Sequence, residues 1–423
     1  MSLSVLICVR LGPSGIASTS NALAFRIRQK QLERKMKTKA MTVFRKPAET
    51  FTAGAKTLPQ KYFVSKEVFA EEQAHIFSTD WLLVGHQSQL AKAGEYFLAQ
   101  VAGESLIIVR DQKGAIHGFY NVCRHRGTRL CEQKSGQFRQ AIQCPYHAWT
   151  YGLDGNLLGA PQMEDVEGFV KKEQSLCSVP LGLWEGFIFV NLSEDAVALK
   201  SKFAPLHGKF THWNLPALRS ARRIEYDVAS NWKLLFENYS ECYHCSLVHP
   251  ELTKLSPSDS AENDLCEGPF LGGFMKINPG RSLSMSGHSC ALPVGDIKAE
   301  DHQRVYYYSV FPNMLLSLHP DYVMVHQLWP LSQERTLILC DWLFHPEAFG
   351  RADFNPKDAV EFWDLTNRQD WHVCELSQQG ISSRAYQPGY FSPRESIPSA
   401  WDREYLRALG EPVKRNGGAQ ILA

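Results

Sequence analysis

The chain has 423 residues, 44% hydrophobic and 21% charged, with 45 Lys or Arg against 44 Asp or Glu and a formal charge of +1. That apolar content excludes disorder as the main state. The balanced charge excludes a general nucleic-acid binder, which needs a basic excess, and no apolar run reaches the roughly 18 residues that cross a bilayer. Eleven cysteines beside 15 histidines, in a chain long enough to bury its own core, point to metal ligation rather than a disulfide framework.

Residues 1–46 carry ten Lys or Arg and one acid, Glu33. The short apolar stretch at 3–9 lacks a basic region before it and makes a poor secretory signal. Met36 and Met41 favour an upstream mis-set start over an organellar transit peptide, so 1–46 is expected to be a disordered extension outside the chemistry. A helix is expected over 64–77, with Ser65 as its N-cap. From 81 to 191 short apolar runs (96–101, 105–109, 116–121, 187–191) alternate with turn signals, of which Asp154-Gly155 is a tight-hairpin dipeptide. This predicts an all-β module. Residues 197–213 read as a linker with some helix, 222–228 as a strand and 231–244 as a helix. The stretch 256–295, rich in Gly, Pro and Ser, predicts long loops. Strands are expected at 305–311, 314–318, 322–329 and 335–344, and a final helix at 356–380. Strands followed by a long helix make the second part α+β. The expected division is 80–195 for the β module and 47–79 with 196–415 for the α+β domain.

Two groups of residues carry chemistry. The first is Cys123-Arg-His125 with Cys144-Pro-Tyr-His147, each pair on a turn between expected strands. Two thiolates and two imidazoles suit one tetrahedral zinc, or a [2Fe–2S] cluster with both Cys on one iron and both His on the other. Zinc fingers usually pair like with like locally; here each loop offers one Cys and one His, so each loop would touch both irons. Gly127 and Pro145 permit bends that turn backbone amides toward cluster sulfurs. Cys131 matches no ligand position and reads as a small buried hydrophobe.

The second group runs from Asn231 to Pro250. Glu237, Glu241 and His244 are spaced i, i+4, i+7, one face of a helix. Buried charge on such a stripe needs a reason. His249 lies about 140° further round an ideal helix. Both histidines reach one metal only if the helix ends or distorts between them, which Pro250 favours. Two His plus a carboxylate leave open positions on ferrous iron. Taken alone, a structural role for His244 and His249 is the readier reading; a metal–sulfur motif upstream reverses that order.

The loop pair resembles the Rieske motif, and Arg126-Gly127 and Trp149 match it beyond the ligands. With the second group, residues 50–415 resemble the Rieske non-heme iron oxygenases of large-subunit type. The stretches Glu241-Cys-Tyr-His244-Cys, His249-Pro-Glu-Leu252, 362–370 and 380–389 are similar to glycine betaine monooxygenases and, more distantly, to carnitine, choline and stachydrine oxygenases. The resemblance implies an α+β chain in which an all-β Rieske domain joins a helix-grip catalytic domain, an antiparallel sheet with a long C-terminal helix. It implies that Cys123, His125, Cys144 and His147 hold a Rieske [2Fe–2S] cluster. His244, His249 and Asp370, the last in Asp370-Trp-His-Val-Cys-Glu375, would hold mononuclear Fe(II); Asp364 and His372 are the competing positions nearby. Glu241, where ring-hydroxylating dioxygenases usually have Asp, would bridge to a Rieske histidine, His125 or His147, of a neighbouring subunit. Electrons would come from NAD(P)H through a separate flavin and iron–sulfur reductase, to a cytoplasmic homotrimer without nucleic-acid or membrane partners. The implied reaction uses O2 to hydroxylate an N-methyl group of a glycine betaine-like compound and releases formaldehyde. The alternative is an aromatic-ring hydroxylating dioxygenase. An electron carrier or a zinc-binding module leaves the second domain unexplained. A fixed cation with no N–H calls for an aromatic cage, for which Tyr239, Tyr306, Tyr308, Phe311, Trp329 and Trp342 are candidates against their reading as core. No residue stands out as a donor to a substrate carboxylate.

Overall fold

Short apolar runs, many buried on both faces, form the strands of the computed structural model, which describes residues 43–411 and the backbone of 413–414 and 420–421. Residues 1–42, most of the expected extension, lie outside the described residues. Its last residues belong to the fold: Phe44 packs edge-on against Phe274 with ring centroids 4.8 Å apart, and Arg45 bridges Asn263.

The expected β module is built from ten short strands in three antiparallel sheets. Strand β1 (Leu82–His86) pairs with β10 (Phe187–Val190), which pairs with β9 (Leu181–Trp184). A second sheet has the order β4-β3-β2-β5, from Ile116–Tyr120, Glu104–Arg110, Glu95–Val101 and Ser135–Gln137. The third has the order β6-β7-β8, from Ala141–Gln143, Thr150–Gly152 and Leu157–Gly159. The Asp154-Gly155 turn closes the last hairpin: Gly155 has φ +83°, and a Cβ there would lie 2.5 Å from the Phe119 ring.

The second part is one seven-stranded antiparallel sheet of order β11-β17-β16-β15-β14-β13-β12. Its strands are β11 (Arg219–Val228), β12 (Glu262–Leu265), β13 (Phe270–Lys276), β14 (Arg304–Val310), β15 (Met314–Leu318), β16 (Val323–Ser332) and β17 (Arg335–Phe344). Period-2 alternation divides its side chains between two cores. Val305, Met324 and Leu328 face the helices. Tyr306, Tyr308, Val323 and Val325 face the segment around Phe203, Phe210 and Trp213.

Helix α1 (Lys66–Glu72) starts where expected, with Ser65 Oγ accepting from the Val68 amide at 3.1 Å. A single wider turn, Gln73–Phe77, completes the expected segment. The expected helix over 231–244 is shorter: α2 spans Trp232–Tyr239. Ser240 ends it, its hydroxyl donating back to the Phe236 carbonyl at 2.6 Å, a bond that competes with continuation of the helix. Two short helices follow, α3 (Cys245–Val248) and α4 (Pro250–Leu255). The long α5 (Pro356–Ile381) matches expectation to one residue. Two further features differ from the sequence reading. The stretch read as loops, 256–295, contains β12 and β13. Helix α6 (Ser396–Ala408) closes the fold with Ile397, Ala400, Trp401 and Tyr405 buried.

Helices α1, α2 and α6 are joined by a buried polar knot. Glu72 accepts from Lys233 Nζ at 2.5 Å and Tyr405 Oη at 2.7 Å through one oxygen, and from Trp232 Nε1 at 2.9 Å through the other. The side chains of Lys233 and Glu72 are 0% and 1% exposed. A buried ion pair adds little net stability, but removing one partner strands a charge. Glu72→Gln should therefore cost about 3–5 kcal/mol and lower the apparent Tm followed by circular dichroism; an unchanged Tm would mean that Lys233 finds another partner or loses its charge freely.

Candidate active site

The two loops of the β module are built alike. The Gly127 amide donates to the Cys123 carbonyl at 3.0 Å, and the Ala148 amide to the Cys144 carbonyl at 3.2 Å. Gly127 and Ala148 both have positive φ, +73° and +57°. Each loop thus turns back at once and presents its Cys and His on one side. Asn121 holds the first loop from beneath, its Oδ1 accepting from the Leu130 and Cys131 amides at 3.0 and 2.9 Å. Cys131 is accordingly a buried structural thiol, pushed up to about 11 by burial.

The rings of His125 and His147 lie 4.7 Å apart between centroids, and His125 stacks on Trp149 at 4.8 Å. Cys123 and Cys144 are both buried. Burial pushes the Cys123 thiol up, while the Tyr151 hydroxyl, 3.3 Å from its sulfur, works the other way. His125 Nδ1 is buried without a hydrogen-bond partner among the described residues. Two buried thiols and an orphaned imidazole nitrogen on facing loops fit the donor set of a Rieske cluster, in which each unmet atom becomes a ligand.

In the second domain the break after α2 redirects the chain. Glu241 and His244 lie in the turn beyond the helix, not on its face, and His249 sits between α3 and α4. Glu237, expected on the same stripe, points elsewhere: it faces Asp402 of α6 in a buried acid pair, and burial pushes it up to about 7. The shortened helix lets His244 and His249 approach Asp370 from α5. His244 Nε2 is 3.2 Å from His249 Nε2, and Asp370 Oδ1 is 3.2 and 2.9 Å from the two. Donors about 2.1 Å from an ion and at right angles around it lie about 3 Å from one another. The triangle thus has the size of one face of a six-coordinate site. Among the described residues it is the one set of three such donors within 4.8 Å.

The electrostatics favour a cation at the centre. Burial alone would lower His244, but the Asp370 and Glu241 carboxylates outweigh it and raise it, so positive charge at this point, a proton or a metal ion, is favoured. Burial would raise Asp370, but the two histidines outweigh it and hold it low. Both imidazoles are fixed from behind: Glu241 Oε1 meets His244 Nδ1 at 2.5 Å, and Gln369 Oε1 meets His249 Nδ1 at 2.8 Å. Such contacts fix the tautomer that leaves Nε2 free to coordinate. The second Glu241 oxygen accepts from the Tyr243 amide. A disulfide between Cys242 and Cys245, with Cα atoms 4.9 Å apart, closes the turn around His244. The competing positions are occupied differently: Asp364 accepts from Tyr226 and Arg368, and His372 is exposed.

The triangle opens on a cavity between α2, α5 and the sheet. Of the six expected cage residues only Tyr239 lines it. Tyr306 and Tyr308 stand on the far face of the sheet, donating to Asp301 and Asp264. Phe311 packs between Trp232 and Trp401, Trp342 is fully buried in the core, and Trp329 packs against it. The walls are instead Tyr307, Trp363 and Trp371 with Met275, Met324 and His326. Tyr307 is the tyrosine out of phase with its two neighbours. Trp363 is seven residues before Asp370 on α5, so helical spacing could have found it. An adjoining cavity shares Tyr239, Glu241 and Tyr307 and reaches Arg394.

Residues 80–170 match the Rieske [2Fe-2S] domain family, and 215–411 match the ring hydroxylating alpha subunit (catalytic domain) family. The chain is 32% identical to the glycine betaine monooxygenase oxygenase subunit of Chromohalobacter salexigens, over 80% of this chain and 82% of that one. It is 30% identical to the carnitine monooxygenase oxygenase subunit of Acinetobacter baumannii, over 82% and 91%. Among solved structures, the quaternary ammonium Rieske monooxygenase CntA with L-carnitine matches with a TM-score of 0.68 and 26% identity, over 86% of this chain and 97% of that one. Naphthalene 1,2-dioxygenase from Rhodococcus sp. shares the fold, with a TM-score of 0.65 and 21% identity over 84% and 94%.

His249→Ala should remove most of the bound mononuclear iron, measured by metal analysis, while the visible and paramagnetic signature of the cluster stays. Retained iron would mean that His249 is not a ligand.

Proposed function

The chain belongs to the Rieske non-heme iron oxygenases, whose oxygenase subunits carry a [2Fe–2S] cluster and a mononuclear iron and receive electrons from a reductase, and we propose that it hydroxylates an N-methyl group of a quaternary ammonium compound of the glycine betaine or carnitine kind. The observation that carries this reading is the cavity beside His244, His249 and Asp370, walled by Tyr239, Tyr307, Trp363 and Trp371. A trimethylammonium group has a fixed charge and no N–H, so π faces are the groups that recognise it. In balance, the N-methyl group, O2, two electrons and two protons give a carbinolammonium and water. The carbinolammonium then releases formaldehyde, a proton and the demethylated amine.

Cys123, His125, Cys144 and His147 would hold the cluster, and His244, His249 and Asp370 the iron. The iron would supply the open positions at which O2 is reduced. The protein does the rest. Gln369 and Glu241 orient the two imidazoles. The aromatic walls position the N-methyl group and exclude water. Glu241 has a further role in this reading, as the carboxylate that links His244 to a cluster histidine of a neighbouring subunit in a homotrimer. The electrons would come from NAD(P)H through a separate reductase. No helix among the described residues is long and apolar enough to cross a membrane; we place the enzyme in the cytoplasm on the family resemblance alone.

A single turnover tests the chemistry without the reductase. The iron-loaded protein is reduced with dithionite, freed of excess, and given O2 with glycine betaine, carnitine, stachydrine or an aromatic acid. Formaldehyde from one of the ammonium compounds is expected; a hydroxylated ring product without formaldehyde would move the protein to ring hydroxylation. Glu241→Gln should slow reductase-driven turnover by about 10- to 100-fold with both metal centres still loaded, and full activity would remove the bridging role.

A further inference from the structure

His326 occupies a position where the sheet pattern calls for an apolar side chain. It lies on β16 opposite Leu315 and Cys340, and its neighbours on the same face, Met324 and Leu328, are core residues. It is 1% exposed, and neither ring nitrogen has a hydrogen-bond partner among the described residues. Such an imidazole is costly unless something answers its N–H. The ring lies in the wall of the cavity beside the three donors, 6.2 Å from Tyr239 and 6.0 Å from Trp371 between centroids. His319 is a useful contrast. It is also buried and unpartnered, but it stacks on Tyr322 at 4.1 Å and does not line the cavity.

The donor groups of the polar side chains beside His326 are engaged, while the Thr366 oxygen and Asn367 Oδ1 in the same cavity wall keep acceptor capacity. Thr366 donates to the Phe362 carbonyl at 3.0 Å. The Asn367 amide donates to Tyr226 at 3.4 Å and reaches the Cys340 sulfur at 3.9 Å. Arg394 lies in the adjoining cavity, where its Nη2 already donates to the carbonyls of Cys242 and Ser258 at 3.3 and 2.7 Å. An N–H without a partner in the wall of this cavity is therefore free to meet an acceptor that arrives with the substrate.

We propose that His326 is a specificity-determining positioning residue: its ring N–H donates to a carboxylate oxygen of the bound ammonium substrate, so the cavity selects zwitterions over simple ammonium cations. This rests on the reading of the substrate as a quaternary ammonium compound. The π walls and the imidazole then divide the ligand between them, cation on one and anion on the other. A charge-assisted bond made inside a dry cavity is stronger than one at the surface.

The test is equilibrium binding by calorimetry to the protein with both metal centres loaded, without O2. The ligands are glycine betaine, carnitine and ethyltrimethylammonium, which carries the cation but no oxygen. His326→Leu should weaken glycine betaine or carnitine by about tenfold or more and leave ethyltrimethylammonium nearly unchanged. His326→Gln, which keeps an N–H donor, should restore most of the loss. Equal weakening of all three ligands, or no weakening of the carboxylates, would overturn the proposal while leaving the ammonium reading intact. Wild-type protein that binds none of the three would overturn the ammonium reading itself, and the proposal with it.

Discussion

Two imidazole nitrogens and a carboxylate oxygen, all within 3.2 Å of one another, form the constraint on which the catalytic half of the chain depends. Lone pairs placed so close repel unless a positive charge sits among them. The fold must therefore supply the convergence and the reason it is stable. Convergence comes from two segments more than 100 residues apart: the turn after α2 brings His244 and His249, and α5 brings Asp370. The turn exists because α2 stops at Tyr239. Had the helix continued to 244, His244 and His249 would diverge around its axis. The Ser240 hydroxyl, the Tyr243 amide on Glu241 and the disulfide around His244 hold the chain in the turn.

Behind that turn, α2 is seated by groups that are costly to bury. Lys233 is answered by Glu72, and Trp232 and Phe236 pack against Trp401. Apolar packing fixes how close the helix lies. The ion pair fixes its rotation, because a turn of the helix about its axis would leave Lys233 unanswered. A fixed rotation is what the site needs, since Tyr239 at the end of α2 forms a wall of the cavity and hands the chain to Glu241.

The sequence made the strands of this protein readable wherever a short apolar run was bounded by turn residues. Met314–Leu318 and Arg335–Phe344 agree with expectation to the residue. Strand β13 was hidden because its two glycines resemble a loop, and β12 because its short polar sequence carries no strand signal. A Cβ at Gly273 would lie 2.0 Å from the Glu262 carbonyl oxygen, and one at Gly272 as close to that of Tyr307. Those glycines mark close approach of neighbouring strands, not freedom. The donors His244, His249 and Asp370 were legible through family resemblance, whereas spacing alone had put Glu237, Glu241 and His244 on one helical face. The aromatic walls were the weakest reading. Alternation gives a period but not a phase, so three successive tyrosines, 306 to 308, offered no sign of which one faced the cavity. His326 left a signal that went unused: a histidine in phase with Met324 and Leu328.

The shared fold does not decide the chemistry. Naphthalene 1,2-dioxygenase has the same architecture at 21% identity, so the distinction between ring and N-methyl oxidation has to lie in the side chains of one cavity. An apolar ring and a trimethylammonium group are of similar girth, and aromatic walls accept both. What separates them is charge: the ammonium gains from every π face it touches, and a zwitterion also brings an anion that must be answered. A cavity for a hydrocarbon has no use for a buried, unpartnered imidazole and would be more stable with leucine there. The cost of burying His326 among Met324, Leu328 and the aromatic walls is offset where the ligand brings an acceptor, so its role stands or falls with the ammonium reading.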